Sequence, residues 1–177
     1  LRERGFLVIE PDFGKMTGSD VGIGRYPETN KIIEALNQHL VRSADLLGRK
    51  ILITAGGTRE PIDPVRFIAN RSSGKQGLSI ALAALERGAE VTLVAANLIT
   101  DELDDLQRLK VVHVETAEEM MVGMKEHFAA ADIVIMSAAV ADARPLAYSS
   151  SKIETASYQS IQLTENPDII AGLTMMR

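Results

Sequence analysis

Short apolar runs alternating with segments of helical period limit the fold of this chain more than any other feature. KILITAGG (residues 50–57), VTLVAAN (91–97), KVVHVE (110–115) and DIVIMSAAVAD (132–142) read as strands. The first and last are apolar enough to be buried on both faces, as parallel strands are. Between them, GKQGLSIALAALERGAE (74–90) reads as a helix. Leu78, Ala81, Leu82 and Leu85 recur at helical spacing, and Gly88 marks its stop. TAEEMMVGMKEHFAAA (116–131) reads as a second helix, opened by Thr116 with Glu119 three residues on, the spacing of a capping box. Strand–helix–strand units of this kind predict an α/β fold, a mostly parallel sheet with helices on both faces.

Either side of this rhythm the pattern weakens. In residues 1–40, FLVIE (6–10) is a strand candidate ended by Pro11, and GKMTGSDVGIGRYP (14–27) reads as a glycine-rich loop. PETNKIIEALNQHL (27–40) reads as a helix with Pro27 in its first turn and Ile32, Ile33, Leu36 and Leu40 on one face. Residues 41–48 read as a connector. After Asp142, ARPLAYSSSKIETASY (143–158) is polar and Ser-rich, the pattern of a mobile loop, and SIQLTE (160–165) is a weak strand. NPDIIAGL (166–173) opens a helix in which Asn166 can cap, Pro167 fits the first position and Asp168 favours the positive end. The start lacks an initiator Met and a signal peptide, and the end stops within an apolar run, so the chain reads as an internal fragment.

Composition narrows the chemistry. The chain is 46% hydrophobic but only 4% aromatic and has no Trp, so Ala, Val, Ile, Leu and Met must build its core. A formal net charge of −5 argues against a nucleic-acid partner. The absence of Cys removes disulfides, thiolate metal sites and cysteine nucleophiles from this chain and suits a reducing, cytoplasmic setting. No apolar run approaches the roughly 18 residues of a membrane span. His39, His113 and His127 sit at no metal-ligand spacing from a carboxylate and read as structural or surface residues, with no zinc site.

In an open α/β sheet, ligands bind beyond the carboxyl ends of the strands. Three polar segments should meet there: AGGTREPIDPVRFIANRSSGKQG (55–77), SAAVADARP (137–145), and the Lys152 loop with the NPD turn. The first is neither a G-x-G-x-x-G dinucleotide fingerprint nor a P-loop. Ser72, Ser73 and Gly74 nevertheless precede a helix whose free N–H groups attract anions, with Arg71 and Lys75 adding charge. The competing reading is that Ser72 or Ser73 caps the helix and the cations are solvated. Asp142 ends a run of small residues, Ser137 to Ala141, along which a flat ligand can approach the backbone; tight helix-on-sheet packing with Asp142 as a cap fits equally. Lys152 alone reads as a solvated loop lysine.

Taken together, ITAGGTREPIDPVRFIANRSSGKQG, SAAVADARP, SKI and ENPDII resemble the phosphopantothenoylcysteine synthetase family, over residues from about Gly48 to Arg177. GSDVGIGRYPE resembles the tail of the phosphopantothenoylcysteine decarboxylases, which most bacteria fuse upstream of the synthetase. The resemblance implies residues 1–40 as a decarboxylase-like tail, 41–48 as a connector and 49–177 as an incomplete synthetase-like nucleotide-binding domain. It implies a Rossmann-like fold truncated at its C-terminus and a homodimer. It implies a ligation in which the carboxylate of 4′-phosphopantothenate attacks the α-phosphate of CTP, with Mg²⁺, and cysteine's amine then displaces CMP. Asn70 matches the asparagine needed to turn over the acyl-cytidylate. Lys152 matches the first lysine of a K-x-K-K loop that stabilises phosphate charge. Ser137, Ala138 and Asp142 match the strand end that holds the nucleotide, and Pro167, Asp168, Ile169 and Ile170 match the turn near the base. Gly56, Gly57 and Arg59 would shape the site, and Arg71, Ser72, Ser73, Gly74 and Lys75 would bind anionic groups. The metal ligands stay unassigned.

Three departures from the family stand out. The K-x-K-K loop here reads Lys152-Ile153-Glu154-Thr155, so its later lysines are missing. Thr17-Gly18-Ser19 stands where the decarboxylases carry an A-C-G cysteine, and the flavin-binding part is absent, so neither decarboxylation nor flavin is expected of this chain. The family continues beyond Arg177. Two other functions remain open: a nicotinamide-dependent oxidoreductase, whose ribose-binding acid would have to be Asp101 or Glu102, late after the second strand, and a nucleotide-binding module without catalysis.

Overall fold

The computed structural model describes residues 1–16, 18, 20–41, 45–98, 108–154 and 159–176, without the side chains of residues 3 and 38–41. The chain divides into two compact units, Leu1–Asp45 and Leu46–Arg177.

In the first unit, β1 (Asp12–Lys15) pairs antiparallel with β2 (Val21–Arg25), and α1 (Thr29–Val41) follows. The expected glycine loop over 14–27 is therefore a hairpin. Gly18 takes a turn conformation at φ 91°, while Gly24 and Gly14 lie against side chains: a Cβ on Gly24 would sit 2.8 Å from Met16 Sδ, and one on Gly14 2.9 Å from the Arg25 side chain. The expected strand at Phe6–Glu10 does not form. Phe6 and Leu7 are exposed, no strand lies beside them among the described residues, and Pro11 has no N–H to give a ladder. Helix α1 begins two residues after Pro27, so the proline lies ahead of its first turn. Ile32 is half-buried, while Ile33 and Leu36 are exposed within this unit. Asp12 ties hairpin to helix by accepting from Glu28 N and Lys31 Nζ, and these donors hold its carboxyl below the usual range.

The second unit is built on a four-stranded parallel sheet of order β7-β6-β3-β8, comprising β3 (Lys50–Gly56), β6 (Glu90–Ala96), β7 (Leu109–Val114) and β8 (Ile133–Met136). Helix α2 (Lys75–Glu86) covers one face, where Ala81, Ala84 and Leu85 meet Ile51, Ile53, Ala55, Val91, Leu93 and Ala95. On the other face, α3 (Ala117–Phe128) and α4 (Ile169–Thr174) bring Met120, Met121, Met124, Ile169 and Leu173 onto Leu52, Val94 and Ala96. The expected α/β architecture with helices on both faces is thus present. Burying a side chain such as Leu93, which has no exposed surface, contributes about 1.5–3 kcal/mol. Helix α2 lies close because Gly77 faces the sheet, where a Cβ would fall 2.6 Å from Ala55 Cβ. The Thr116–Glu119 capping box forms as the spacing predicts.

The last strand is shorter than its apolar run. Expected over 132–142, it is interrupted after Met136, where the buried Thr54 Oγ1 accepts from both Ser137 N (3.0 Å) and Ala138 N (3.1 Å) in place of a backbone ladder, and pairing returns only as the Gly57–Ala139 bridge. It is also an edge strand and only half-buried, rather than enclosed on both sides. The segment 143–158 begins not as a loop but as β9 (Ala143–Pro145), paired antiparallel with β10 (Leu163–Glu165). Its described remainder is tied down at Ser149 and Ile153. The cap of α4 falls two residues late, at Asp168, whose carboxylate accepts from Ala171 N. Asn166 instead donates to Ala141 O (2.8 Å) and accepts from Arg144, and Pro167 precedes the helix.

Candidate functional site

From β3 the chain moves to β6 and β7 on one side of the sheet, then returns through α3 to β8 on the other side of β3. The strand order therefore switches sides between β3 and β8, and at such a switch point a crevice opens at the carboxyl ends of the strands. The segments that follow these two strands are the polar ones singled out in the sequence.

One wall of this region is a cleft of about 550 Å³. It brings together Ala138, Asp142, Pro167, Asp168, Ile169 and Ile170, six of the residues expected to hold a nucleotide. Thr58, fully buried, shapes it: its Oγ1 accepts from Ala141 N (2.9 Å) and its N–H donates to Ala139 O (3.3 Å). Asn166 N donates to Asp142 O (2.9 Å), which locks the NPD turn to the segment that follows β8. Ser137 Oγ is buried and has no hydrogen-bond partner among the described residues.

A second group of expected residues adjoins it. Gly57 bridges Ala139, and Gly56 O accepts from Ala139 N (2.8 Å) and from Ser72 Oγ (3.1 Å). Asn70 Nδ2 donates to Val140 O (3.0 Å), so this amide is anchored two residues from Asp142. No side chain caps α2: Ser72 spends its hydroxyl on Gly56 O and Gly74 N, and the N-cap is Gly74 at φ 67°. The reading of Ser72 or Ser73 as a helix cap is thereby corrected. The N–H groups of the first turn of α2 are left without a side-chain acceptor, beside the exposed Arg71, Ser73 and Lys75. A helix end with that charge suits a phosphate or carboxylate.

The long segment between β3 and α2 contains a small antiparallel hairpin, β4 (Arg59–Pro61) and β5 (Phe67–Ala69). It separates the glycine turn from the helix, which is why no dinucleotide fingerprint could form there. Arg59 lies over the Phe67 ring, 4.9 Å from its centroid. The hairpin is braced at its base by Arg59 N to Glu115 O (2.8 Å) and by the buried Glu60, whose Oε1 accepts from Ala117 N (3.0 Å). Asn70 follows β5 directly. Lys152 lies by the opposite, turn end of the hairpin, next to Ile153, which is bonded to Asp63 and Arg66. Arg66 and Asn70 are four residue steps apart along this extended stretch, roughly 13 Å. Lys152 is exposed and does not line the cleft.

Sequence reasoning missed Thr54, Thr58, Glu60, Asp63 and Asn97. All but the half-buried Asn97 are buried polar groups in or beside the strand ends, and Asn97 (φ 54°) donates to Gly57 O and Glu115 O. Thr17, Ser19, Asp101, Glu102 and Thr155 lie outside the described residues, as does the side chain of His39. His113 and His127 line no part of the cleft. Among the described residues, no group of three or more His, Asp or Glu is placed to hold a metal ion, and no helix is long and apolar enough to cross a membrane.

Residues 46–177 match the model of the DNA/pantothenate metabolism flavoprotein C-terminal domain. The whole chain is 46% identical over 183 residues to the coenzyme A biosynthesis bifunctional protein CoaBC of Mycobacterium bovis, of which it spans 43%. It is 40% identical over 181 residues to the protein of that name from Escherichia coli K12, of which it spans 44%. Among solved structures, the crystal structure of the C-terminal domain of a CoaBC protein superimposes with a TM-score of 0.64 at 41% identity, covering 76% of this chain and 62% of that one.

Proposed function

The chain belongs to the DNA/pantothenate metabolism flavoprotein C-terminal domain family, and from that premise we propose that it carries the ligase site of a coenzyme A biosynthesis protein. The reaction is CTP-dependent joining of 4′-phosphopantothenate to cysteine. A carboxylate oxygen of 4′-phosphopantothenate attacks the α-phosphorus of CTP, and the bond to pyrophosphate breaks. The cysteine amine then attacks the acyl carbon of the acyl-cytidylate, the bond to CMP breaks, and the nitrogen loses a proton.

The observation that carries this reading is the meeting of Asn70 with the Ala138–Asp142 segment, through Asn70 Nδ2 and Val140 O, on the rim of a cleft closed by Asn166 to Ile170. Ser137, Ala138 and the Pro167–Ile170 turn offer backbone groups to base and ribose, and Asp142 is an acceptor for hydroxyls. Asn70 offers a neutral amide, which can donate to a developing oxyanion without adding charge. Lys152 supplies positive charge to the phosphates. The Ser72–Lys75 helix start, with Arg71, Gly56 and Gly57, cradles an anionic group. Mg²⁺ suits this donor set, because it binds through phosphates, waters and one or two carboxylates, here Asp142 and Asp168, and it would neutralise phosphate charge. Residues 1–40 we assign as a decarboxylase-like tail, and the working protein as a cytoplasmic homodimer.

The test is pyrophosphate release by the full-length protein supplied with CTP, 4′-phosphopantothenate and cysteine. Asn70→Asp should lower formation of the cysteine adduct by about 100-fold or more, the effect of losing one oxyanion donor. Wild-type protein that releases no pyrophosphate, or an Asn70→Asp variant as fast as wild type, overturns the reading. Glu154, in place of a lysine, favours a second one, a module that binds CTP without turnover.

A further inference from the structure

The turn of the β4–β5 hairpin holds a carboxylate with more donors than the turn itself needs. Asp63 has no exposed side-chain surface. It accepts from Val65 N and Arg66 N (both 2.9 Å), which closes the turn, and from Arg66 Nε (2.9 Å) and Nη2 (2.6 Å). A further donor comes from Ile153 N, 3.1 Å away and ninety residues along the chain. Arg66 Nη2 also donates to Ile153 O at 2.6 Å. Both polar backbone groups of Ile153 are therefore held by one ion pair. Ser149 N adds a third link, to Ile62 O (3.0 Å).

Lys152 immediately precedes the clamped residue, is exposed, and forms no ion pair among the described residues. Its backbone is fixed while its charge is unspent. The other strand of the hairpin runs straight into Asn70, whose amide is anchored to Val140 O. A single braced element thus sets the positions of a cation at its tip and an amide at its base.

We propose that Asp63 is a positioning residue, holding the Ile153 peptide together with Arg66 so that Lys152 is presented at a fixed place for nucleotidyl transfer. This rests on the ligase reading given above. Misplacing a catalytic group by about 1 Å costs roughly 100-fold in rate. A carboxylate that touches no substrate can therefore govern the first half-reaction.

The test uses the full-length protein with Asp63→Ala, Asp63→Asn and Lys152→Ala. Hydrogen exchange followed by mass spectrometry should show the 149–154 peptide exchanging at least about ten times faster in Asp63→Ala, while β3 and β6 peptides keep wild-type protection. Asn retains one acceptor, so Asp63→Asn should fall between the two. In the pyrophosphate-release assay, kcat of Asp63→Ala should fall by roughly 100-fold with KM for CTP changed far less, and the double variant Asp63→Ala/Lys152→Ala should be no slower than Lys152→Ala. A purely structural Asp63 would multiply the two losses. Wild-type exchange at 149–154 in a folded Asp63→Ala protein, or multiplied losses, overturns the proposal. If Asp63→Ala does not fold, faster 149–154 exchange in Asp63→Asn supports it and unchanged exchange overturns it. Absence of CTP turnover in the wild type would count against the ligase reading alone, since the exchange measurement still decides the clamp.

Discussion

Thr54→Val separates hydrogen bonding from packing at the heart of the second unit. Thr54 sits on β3 with no exposed surface, and its hydroxyl oxygen accepts from Ser137 N at 3.0 Å and Ala138 N at 3.1 Å. Valine keeps the β-branch and nearly the shape, so it opens no cavity. It removes the only acceptor that these two half-buried amides are seen to use. An orphaned donor costs about 1–3 kcal/mol, and partial exposure puts each of these at the low end, so the pair should cost about 2–3 kcal/mol. Thr54→Ser is the control. It keeps the oxygen and deletes one buried methyl, a loss of about 1 kcal/mol. For a chain of this size, each kcal/mol moves Tm by about 2–4 °C. Thermal unfolding should therefore place Val about 4–12 °C below wild type and Ser about 2–4 °C below. On packing alone the order would be reversed. If Val proves as stable as Ser, or more so, the claim that Thr54 holds these two amides in place of a ladder is wrong.

Two further outcomes follow from backbone geometry and charge. Gly74→Ala should destabilise by about 2–4 kcal/mol in urea, since φ is +67° and a Cβ would lie 2.1 Å from Leu98 Cδ2 and 3.0 Å from the Gly56 backbone; a neutral result would show that the turn before α2 relaxes freely. Burial alone would push the Asp63 carboxyl up, but the donors Val65 N, Arg66 and Ile153 N outweigh it and hold it well below the usual carboxylate range. The unfolded chain therefore takes up this proton first as pH falls. The stabilisation is complete above the ordinary carboxylate value of about 4 and is lost as pH drops below it toward the depressed folded value. The urea-midpoint gap between wild type and Asp63→Asn should be flat from pH 5 to 8 and begin to narrow below about pH 4; a gap as wide at pH 3 as at pH 7 would refute this origin.

Much of the second unit was legible because its signals are local. The apolar run at Lys50–Gly56, the stop at Gly88 and the Thr116–Glu119 box each depend on neighbours a few residues away. Of the family motifs, SAAVADARP and ENPDII line one cleft and the Asn70 segment adjoins it, whereas SKI lies at the turn end of the β4–β5 hairpin. Errors arose where distant groups intervened. DIVIMSAAVAD reads as one long strand until Thr54, more than eighty residues earlier, takes its amides. FLVIE has a strand's composition but no strand beside it among the described residues. The loop expected to be mobile is held by a carboxylate ninety residues away, and of the glycines expected in a loop, Gly14 and Gly24 sit within a hairpin against the Arg25 and Met16 side chains.

Residue order by itself determined the alternation of strand and helix, the aliphatic core, and which stretches are polar enough to face a ligand. Periodicity and capping are written within a turn or two of chain, and burial follows from them. Only the folded arrangement decided that β8 stops at Met136, that Asn70 reaches Val140, and that Asp63 grips Ile153. The reason is geometric: a buried polar group takes whichever partner the topology brings within 3 Å, and no local pattern encodes a neighbour dozens of residues away.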